Sequence, residues 1–372
     1  MLSFWEKDFF IEYDHIVVGS GIVGLSTAIA LKEKEPQSRV LVLERGVFPT
    51  GASTKNAGFA CFGSLSEIAA DLQKLPDEEV FNLVKLRWEG LQLLRNRLGD
   101  DQIDYKNFGG YELLRELELV ALDELDRINH LLYPLFEKTV YSIANHKIHE
   151  FGFPAKAVNT LVFNPFESQI HSGRMMKSLL SLASSKGVEV LTGAQVVAFE
   201  EHEQWVEIAI SDGPTFKCRQ LAFCTNAFSK WFFPKIDIEP GRGVVLVTKP
   251  VPGLKLKGTF HYDEGYYYFR NYEDRIIFGG GRNLDLETEK TTNFDINEVI
   301  LKKLKADLRE LILPGQTFEI DHVWSGIMAF GPNKKPILQK QTPRVSAGVR
   351  LGGMGVAIGS KIGSELAGLM LQ

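Results

Sequence analysis

The segment Tyr13-Asp-His-Ile-Val-Val-Gly-Ser-Gly-Ile-Val-Gly24, followed by Val40-Leu-Val-Leu-Glu44, decides the fold of this chain. Its apolar β-branched run, Ile16 to Val18, is typical of a strand that is buried on both faces. A Gly-x-Gly-x-x-Gly turn and a helix pattern come next, and the second strand ends in an acid. Strand, glycine turn, helix and acid in this order indicate a βαβ unit that binds a dinucleotide.

Each glycine of this turn has its own physical role. Gly19 permits the tight turn, Gly21 lets a pyrophosphate approach the backbone, and Gly24 lets the helix lie close to the strand. The free N–H groups at the start of the helix, together with its positive dipole end, are directed at the phosphates. Glu44 lies 20 residues after Gly24, where a carboxylate can accept hydrogen bonds from ribose hydroxyls. That carboxylate would repel a 2′-phosphate, so NADP is disfavoured.

Length, composition and charge place the chain among ordinary soluble proteins. Its 372 residues are too many for one core and suit two domains. The net charge of −5 gives no support for binding of nucleic acid or another polyanion. No segment is long and apolar enough to span a membrane, and no signal peptide is expected. We expect the N-terminal aromatic residues to pack on the domain. Three scattered cysteines predict neither a disulfide framework nor a zinc site, and they fit the reducing cytoplasm.

The succession of patterns along the chain predicts two interleaved domains. The expected fold class is α/β (α+β): a Rossmann-like nucleotide-binding domain assembled from discontinuous segments, with an inserted substrate domain of antiparallel sheet plus helices. We assign residues 1–65, 150–225 and 325–372 to the nucleotide-binding domain. Residues 66–149 and 226–324 form the substrate-binding domain. A continuous two-domain division is the alternative, and the sequence excludes it only weakly.

Further motifs converge on one family. They are Gly51-Ala-Ser-Thr-Lys-Asn-Ala-Gly58, Gly187-Val-Glu-Val190 with Gln195-Val-Val197, Thr225-Asn-Ala227, Trp324-Ser-Gly326 with Gly331-Pro-Asn-Lys-Lys-Pro336, and Gly352-Gly-Met-Gly355. With these motifs the chain resembles the D-amino-acid oxidase-like family of FAD-dependent oxidoreductases, which includes glycine oxidase, sarcosine oxidase and D-amino-acid dehydrogenase. The resemblance covers most of the chain and is sharp only in the nucleotide-domain segments. It implies one FAD as the cofactor.

The resemblance also implies which residues surround that FAD. The loop at 53–57 would cover the pyrophosphate and one flavin face, and Val197 would bind the adenine through its backbone. The C-terminal glycine turn would set a helix N-terminus against the flavin N1–C2 carbonyl edge. The implied FAD-binding residues are Gly19, Gly21, Ile22, Val23, Gly24, Glu44, Arg45, Ser53, Thr54, Lys55, Asn56, Ala57, Val197, Thr225, Asn226, Gly326, Gly352, Gly353, Met354, Gly355 and Val356. An NAD dehydrogenase has no need of the C-terminal turn, so FAD is preferred over NAD.

Two departures from the family pattern concern the cofactor and the electron acceptor. Sarcosine oxidase attaches its flavin through a cysteine whose position is Gly326 here, so we expect non-covalent FAD. The lysine that activates oxygen in that oxidase aligns with Ile277. The electron acceptor is therefore either O2 or a quinone or carrier protein.

A third departure concerns the substrate. In glycine oxidase-like members an arginine binds the substrate carboxylate, and Met328 occupies its position here. Met328 cannot bind an anion. Either the carboxylate is held elsewhere, with Arg242, Arg270 and Arg282 as candidates, or the substrate is not a simple amino acid. The alternative for each arginine is a solvated residue at a strand end. We take Arg242 and Met328 as substrate-site predictions.

Two residues are candidates for catalysis. Tyr267 aligns with a family tyrosine that faces the substrate, and strand alternation sets Tyr266 and Tyr268 on the opposite face. Packing is the alternative role for such an aromatic residue. His261 is a candidate base, with a merely structural role as its alternative.

These residues together predict FAD-dependent oxidation of a C–N bond in a small-molecule amine or amino acid, by hydride transfer to flavin N5. An FAD-dependent 2-hydroxy-acid dehydrogenase of the L-2-hydroxyglutarate type is one alternative, which Met328 keeps open. A flavin-binding protein without turnover is the other. No metal is expected in any of these mechanisms.

Overall fold

The computed structural model describes residues 1–372 and contains two large β-sheets with helices packed around them. The α-helices are α1 (Phe4–Phe10), α2 (Ile22–Lys34), α3 (Ala52–Lys55), α4 (Leu65–Leu72), α5 (Asp77–Leu98), α6 (Asp100–Ile103), α7 (Leu125–Phe136), α8 (His146–Phe151), α9 (Ser172–Ser185), α10 (Glu298–Asp307) and α11 (Gly355–Met370). Short 3₁₀ segments lie at Glu116–Glu124, Asn226–Trp231 and Arg282–Leu284, and a π-helical turn follows α10 at Leu308–Ile312.

The strands are β1 (Glu12–Val18), β2 (Val40–Leu43), β3 (Phe59–Ala60), β4 (Gly110–Leu114), β5 (Ser142–Ile143), β6 (Thr160–Asn164), β7 (Ser168–Gln169), β8 (Val188–Leu191), β9 (Val196–Glu201), β10 (Val206–Ile210), β11 (Thr215–Phe223), β12 (Glu239–Thr248), β13 (Thr259–Tyr262), β14 (Tyr267–Tyr272), β15 (Arg275–Gly280), β16 (Ile320–Phe330), β17 (Ile337–Lys340) and β18 (Val345–Val349).

The first sheet is the one that the βαβ fingerprint predicts. Its strands run in the order β17-β18-β11-β1-β2-β8, with β10 and β9 added antiparallel at the start of β11. From β8 to β18 the neighbouring strands are parallel, and parallel neighbours need crossover connections such as α2. Helices α2, α5, α9 and α11 share one apolar core with this sheet. The predicted Rossmann-like domain of discontinuous segments is confirmed.

Helices α2 and α11 lie against each other, and glycines make this possible. A Cβ added to Gly359 would lie 2.7 Å from Cγ2 of Ile22, and one added to Gly363 would lie 2.6 Å from Cβ of Ser26. Side chains at these positions would push the helices apart. The close packing brings the first turns of α2 and α11 side by side.

The second sheet runs in the order β16-β12-β15-β14-β13-β4-β6-β5. All its pairs are antiparallel except β13 with β4, which are parallel. Helices α8 and α10 cover an aromatic-rich core on this sheet. Helices α4, α5 and α7 enclose another core next to β4 and β6.

Two predicted domain boundaries differ from the sheets. Strand β6 pairs with β4 in the second sheet, although residues 150–225 were assigned to the nucleotide-binding domain. Strand β16 stays paired with β12 from Ile320 to Phe330, so a boundary at 324/325 falls inside a strand. The residue pattern of a strand does not show which strand it pairs with, because strand pairing depends on tertiary packing.

The N-terminal helix α1 also differs from expectation. None of its residues is buried, and Phe4, Trp5, Phe9 and Phe10 are each more than half exposed. A capping box starts the helix, because the Ser3 hydroxyl accepts from the Glu6 N–H and the Glu6 carboxylate accepts from the Ser3 N–H. Its end contacts the domain through Arg39, whose guanidinium lies 5.0 Å from the centroid of the Phe9 ring and donates to the Phe9 carbonyl. None of the helices is long and apolar enough to cross a bilayer.

Candidate active site

A cavity of about 690 Å³ lies between the two sheets. In open parallel sheets ligands bind beyond the carboxyl ends of the strands, and the cavity begins where β1, β2, β11 and β18 end. Its volume falls within the range of about 300–1,000 Å³ that is usual for ligand sites. Of the residues predicted to bind FAD, it is lined by Gly19, Gly21, Ile22, Val23, Glu44, Arg45, Ser53, Lys55, Asn56, Ala57, Thr225, Asn226, Gly326, Gly352, Gly353, Met354, Gly355 and Val356.

The start of α2 is shaped to receive an anion. Its first N–H, on Ile22, donates to Oγ of Ser53 over 3.0 Å. Val23 also lines the cavity, and its N–H lies in the first turn, where backbone N–H groups have no partner within the helix. Gly24 does not line the cavity. A Cβ on Gly24 would lie 1.8 Å from the carbonyl oxygen of Gly19, so this glycine sets the distance between helix and strand as predicted.

The carboxylate of Glu44 is held in place at the end of β2. Its Oε2 accepts from the N–H of Ser20 at 3.0 Å and from the Ser20 hydroxyl at 2.7 Å. Its Oε1 accepts from the N–H of Gly46 at 3.0 Å. The side chain is 6% exposed and lines the cavity, which is where a ribose-binding acid is needed.

The C-terminal glycine turn faces the same cavity. Gly352 and Gly353 have φ of 56° and 81°, a conformation that favours glycine. Nothing lies within 4 Å of a Cβ placed on Gly352, so the turn borders open space. Helix α11 starts at Gly355, directly after the turn. Two helix N-termini therefore border one cavity.

The segment at 53–57, predicted as a loop, begins in helix α3 and is attached to the second sheet. The indole N–H of Trp324 donates to the Lys55 carbonyl at 2.9 Å. Thr54 does not line the cavity, because its hydroxyl donates to the carbonyls of Pro49 and Gly51 inside the loop. Thr54 therefore shapes the loop, in contrast to the cofactor contact predicted for it.

Two strained residues fix the strand ends at the cavity. Asn226 and Arg350 have φ of 47° and 63°, and the Arg350 N–H donates to Oδ1 of Asn226 at 3.0 Å. The Arg350 guanidinium is anchored on Asp237 and Asn333. No sequence motif points to Arg350, since its role depends on contacts with distant segments.

Val197 lies next to the cavity lining and not in it. The residue is 51% exposed, and Gln195 and Val196, which precede it, line the cavity. The contact predicted for Val197 is made by its backbone, and the direction of a side chain does not test such a contact. Val196 joins Val197 as a candidate for the adenine contact.

An offset of one residue corrects the prediction for Tyr267. This residue is 3% exposed, and its ring stacks on Tyr262 at 4.6 Å in the core of the second sheet. The opposite face carries His261 and Tyr268, which pair across β13 and β14 and line the cavity. Tyr267 is therefore a packing residue, and the tyrosines that line the cavity are Tyr266 and Tyr268.

Tyr268 is presented to the cavity by a glycine. Its ring covers Gly279 in the next strand, where a Cβ would lie 2.9 Å from the tyrosine hydroxyl. That hydroxyl makes no hydrogen bond within the protein. Burial raises the pKa of Tyr268 to about 12, so the phenol is neutral at physiological pH and able to donate.

His261 is held by a buried acid. Its Nε2 lies 2.9 Å from Oε2 of Glu167, which also accepts from the Thr259 hydroxyl. Burial lowers the pKa of His261, but the charges of Glu167, Glu112 and Glu67 outweigh it and raise the pKa above its usual value. His261 therefore holds a proton more strongly than a free histidine does, which weakens it as the predicted base.

The predicted substrate residue Arg242 lies outside the cavity lining. Its guanidinium makes two hydrogen bonds to Glu289, at 3.0 and 2.7 Å, and both side chains are buried. The Arg270 guanidinium is likewise engaged, by the carbonyls of Ala57 and Ile170. Met328, in contrast, does line the cavity.

A charged cluster that joins α4 to Arg87 of α5 and to Lys334 closes one side of the cavity, and no local sequence pattern predicts it. Nζ of Lys334 lies 2.9 Å from Oε1 of Glu67 and 2.8 Å from Asp71, and the Arg87 guanidinium lies 3.2 Å from Glu67. Burial would raise the pKa of Glu67, but the charges of Arg87 and Lys334 hold it at about 2.

This cluster predicts an acid-dependent loss of stability. The folded-state pKa of Glu67 is lowered, so its contribution is complete above the ordinary pKa of about 4.5 and is lost as the pH falls towards 2. The full contribution is on the order of 3 kcal/mol. We expect Glu67→Gln to be less stable than wild type at pH 7, with a gap that narrows below pH ~4.5. Urea unfolding of both proteins at several pH values measures this difference in stability.

Glu78→Gln is the matched control, because Glu78 is exposed and has no salt-bridge partner. Its stability should follow that of the wild type at each pH. If the free energy of unfolding falls in parallel for wild type and Glu67→Gln as the pH is lowered, the ion pair contributes nothing to stability.

The fold and the cavity together define a class of protein, one that binds an extended dinucleotide between a Rossmann-like sheet and a second, mostly antiparallel sheet. Residues 14–369 match the family described as FAD dependent oxidoreductase, and the chain belongs to that family. It is an enzyme whose cofactor is FAD.

Individual relatives are distant. "Probable oxidoreductase OrdL" of Haemophilus influenzae is 21% identical over 374 residues, covering 96% of this chain and 83% of that protein. The L-2-hydroxyglutarate dehydrogenase of Escherichia coli K12 is 20% identical over 234 residues, covering 62% of this chain and 51% of that one. Among solved structures, glycine oxidase from Geobacillus kaustophilus has a TM-score of 0.78 at 19% identity, covering 97% of this chain and 95% of its own. L-proline dehydrogenase from P. horikoshii has a TM-score of 0.77 at 17% identity, covering 97% and 93%.

Proposed function

We propose that the protein oxidises a C–N bond of a small amine or amino acid. The observation that carries the proposal is the continuity of the cavity, which leads from the two helix N-termini to a compartment under the second sheet. His261, Tyr268 and Met328 face that compartment. The fold is similar to those of a glycine oxidase and an L-proline dehydrogenase, and this similarity supports the proposal of amino-acid oxidation.

The residues present fit FAD. The first turn of α2, with Ser53 beside it, would hold the diphosphate, and the fixed Glu44 carboxylate would hold the ribose hydroxyls. The backbone near Val196 would meet the adenine. The turn at 352–355 and the loop at 53–57 would hold the ring. When bound, FAD supplies the oxidation by accepting a hydride from the substrate carbon.

The chain's own residues would position the substrate and exclude water. Met328 and Val245 give the compartment an apolar wall, and Tyr268 offers a neutral hydroxyl to a polar group. Such positioning matters because the reacting atoms must be held about 3–3.5 Å apart. Loss of a hydride from carbon and a proton from nitrogen leaves an imine, which water converts to a carbonyl compound and an amine. The electrons pass on to O2 or to a quinone or carrier protein.

Anaerobic titration of the purified holoprotein tests this function. The panel contains primary and secondary amines, both enantiomers of amino acids, and 2-hydroxy acids, and the flavin absorbance near 450 nm is followed. We expect bleaching by members of the amine and amino-acid sets, and mass spectrometry should find the carbonyl product.

Other outcomes of the panel would overturn the proposal. Bleaching by 2-hydroxy acids alone would assign a hydroxy-acid dehydrogenase, which the similarity to L-2-hydroxyglutarate dehydrogenases favours as the second candidate. Full FAD occupancy without reduction by any donor would indicate a flavoprotein without turnover.

A further inference from the structure

We propose that the protein has a second ligand site, which binds a phosphate monoester in a cavity of about 320 Å³ separate from the FAD cavity. The two cavities share no lining residue. The inference goes beyond the proposed function and does not depend on it. It depends on three observations: a buried guanidinium without an acidic partner, a buried amide oxygen without a donor, and an excess of cations in the lining.

Arg270 carries a buried positive charge in the wall of this second cavity. It is 3% exposed and forms no ion pair with an acid. Its Nη2 donates to the Ile170 carbonyl at 3.1 Å, its Nη1 to the Asn271 carbonyl at 3.2 Å, and its Nε to the Ala57 carbonyl. A guanidinium has five N–H groups, so two remain without a protein acceptor. Burial lowers the pKa of Arg270 to about 10, and a bound anion would offset the cost of that burial.

The side chain of Gln169 lines the same cavity and is also buried. It is 5% exposed, and no group of the protein donates to its Oε1. Its backbone is held firmly, because Gln169 and Lys106 exchange two backbone hydrogen bonds of 2.9 and 3.1 Å. A buried acceptor without a donor is costly, and a hydroxyl group of a ligand would satisfy it.

The lining carries more positive than negative charge. Its four cations and two acids, which give a net charge of +2, are Lys106, Arg174, Lys257, Arg270, Asp104 and Glu273. Nζ of Lys106 is paired with Asp104 at 3.0 Å, whereas Arg174 and Lys257 have no acidic partner. A ligand with two negative charges therefore matches the cavity.

Contacts between neighbouring segments hold the two exposed cations at this cavity. Nζ of Lys257 lies 4.3 Å from the centroid of the Phe108 ring. Arg174 lies in the first turn of α9, where its N–H donates to Nδ1 of His171 at 3.2 Å. The His171 ring in turn lies 5.6 Å from the ring of Tyr272, between centroids. Phe108 and Tyr272 both line the cavity, so these contacts fix the cation-bearing segments beside it.

A phosphate monoester matches these groups in charge and in hydrogen bonding. It carries a charge of about −1.5 to −2 at pH 7, close to the opposite of the lining. Its terminal oxygens accept hydrogen bonds from ammonium groups and suit the planar fork of a guanidinium. A sugar or another polyol joined to the phosphate would supply the hydroxyl that Gln169 can bind. The ligand class is therefore a phosphorylated sugar or polyol.

Arg270 also connects the second cavity with the FAD cavity. The carbonyl that its Nε binds belongs to Ala57, which ends the segment 53–57 and lines the FAD cavity. An anion that stabilises the buried guanidinium also stabilises this attachment of the segment. We therefore expect a bound monoester to slow the release of FAD by about fivefold or more.

Isothermal titration calorimetry of the holoprotein with ribose 5-phosphate tests the site. We expect wild type to bind, and the double variant Arg174→Met with Lys257→Met to bind at least about tenfold more weakly, because it loses two charged donors. Both residues are exposed and lie outside the FAD cavity, so folding and FAD occupancy should be unchanged.

The matched control is Lys177→Met with Lys255→Met. It removes two exposed positive charges from the same two segments, and neither residue lines either cavity. This control should bind ribose 5-phosphate as wild type does. No binding by wild type, or equal binding by the control and by the Arg174 and Lys257 double variant, overturns the proposal.

Gln169→Leu tests the hydroxyl contact. It should weaken the binding of ribose 5-phosphate by about three- to tenfold and leave the binding of inorganic sulfate unchanged, because sulfate has no O–H donor. Ribose, which has no charge, should not bind. Equal affinities of wild type for sulfate and for ribose 5-phosphate would overturn the assignment to a monoester.

The rate of FAD release from diluted holoprotein tests the connection through Arg270, with the fluorescence of free flavin as the signal. Ribose 5-phosphate should slow the release from wild type and leave it unchanged in the Arg174 and Lys257 double variant. Binding of ribose 5-phosphate with no change in FAD release would overturn the connection between the two cavities.

Discussion

Gly24→Ala is expected to abolish FAD binding. The added Cβ would lie 1.8 Å from the carbonyl oxygen of Gly19, which is backbone and cannot rotate away. Relief requires α2 to move off β1, and this displaces the N–H groups of its first turn at the cavity. Gly359 and Gly363 pack α11 onto α2, so the C-terminal turn would be disturbed as well. We expect FAD occupancy to fall more than about tenfold and the free energy of unfolding to fall by about 3 kcal/mol.

The ratio of flavin to protein absorbance and urea unfolding measure these two effects. Gly368→Ala is a control within a helix, and Gly51→Ala is a control on the cavity wall; a Cβ meets nothing within 4 Å at either position. Both should keep FAD. A Gly24→Ala protein that carries FAD at wild-type occupancy would contradict the packing role of this glycine.

Glu289→Gln is expected to destabilise the protein by about 3–5 kcal/mol, because it leaves the buried Arg242 charge without its partner. The Glu289 side chain is fully buried and accepts from Asn297 as well as from Arg242. Urea unfolding in the presence of excess FAD measures the loss. FAD binding should persist in the folded fraction, since Arg242 does not line the cavity.

Two comparisons separate this prediction from a general effect of charge removal. The double variant Arg242→Met with Glu289→Leu should regain most of the stability, because neither charge is then left unpaired. Glu319→Gln breaks the exposed Lys249–Glu319 pair and should leave the stability close to that of wild type. Wild-type stability in Glu289→Gln would contradict the structural role of the buried pair.

The cofactor half of the site was largely predictable from sequence. The glycine turn, the acid at Glu44 and the C-terminal turn depend on backbone conformation and short-range order, and glycine is the residue that such conformations favour. Most of the predicted FAD-binding residues line the cavity. Thr54 is an exception, because its hydroxyl satisfies the loop's own carbonyls.

For the substrate half of the site, the sequence predicted the segment of the chain but not the individual residues that face the cavity. The sequence predicts that side chains alternate between the two faces of β14. It does not show whether Tyr267 or Tyr268 is on the face towards the cavity, because a shift of one residue exchanges the two faces. Among the candidate arginines, only contacts between distant segments distinguish Arg242, which meets Glu289, from Arg282, which meets no acid.

By itself, the sequence determined that this chain carries a βαβ dinucleotide unit, that FAD is the expected ligand and that the family arginine is replaced by Met328. These conclusions depend on residues close together in the chain, whose spacing dictates local backbone geometry. Only the tertiary contacts show which strand faces point to the cavity and which charges are neutralised. The reason is physical, because pairing and burial are set by partners that lie tens to hundreds of residues away and no local pattern specifies them.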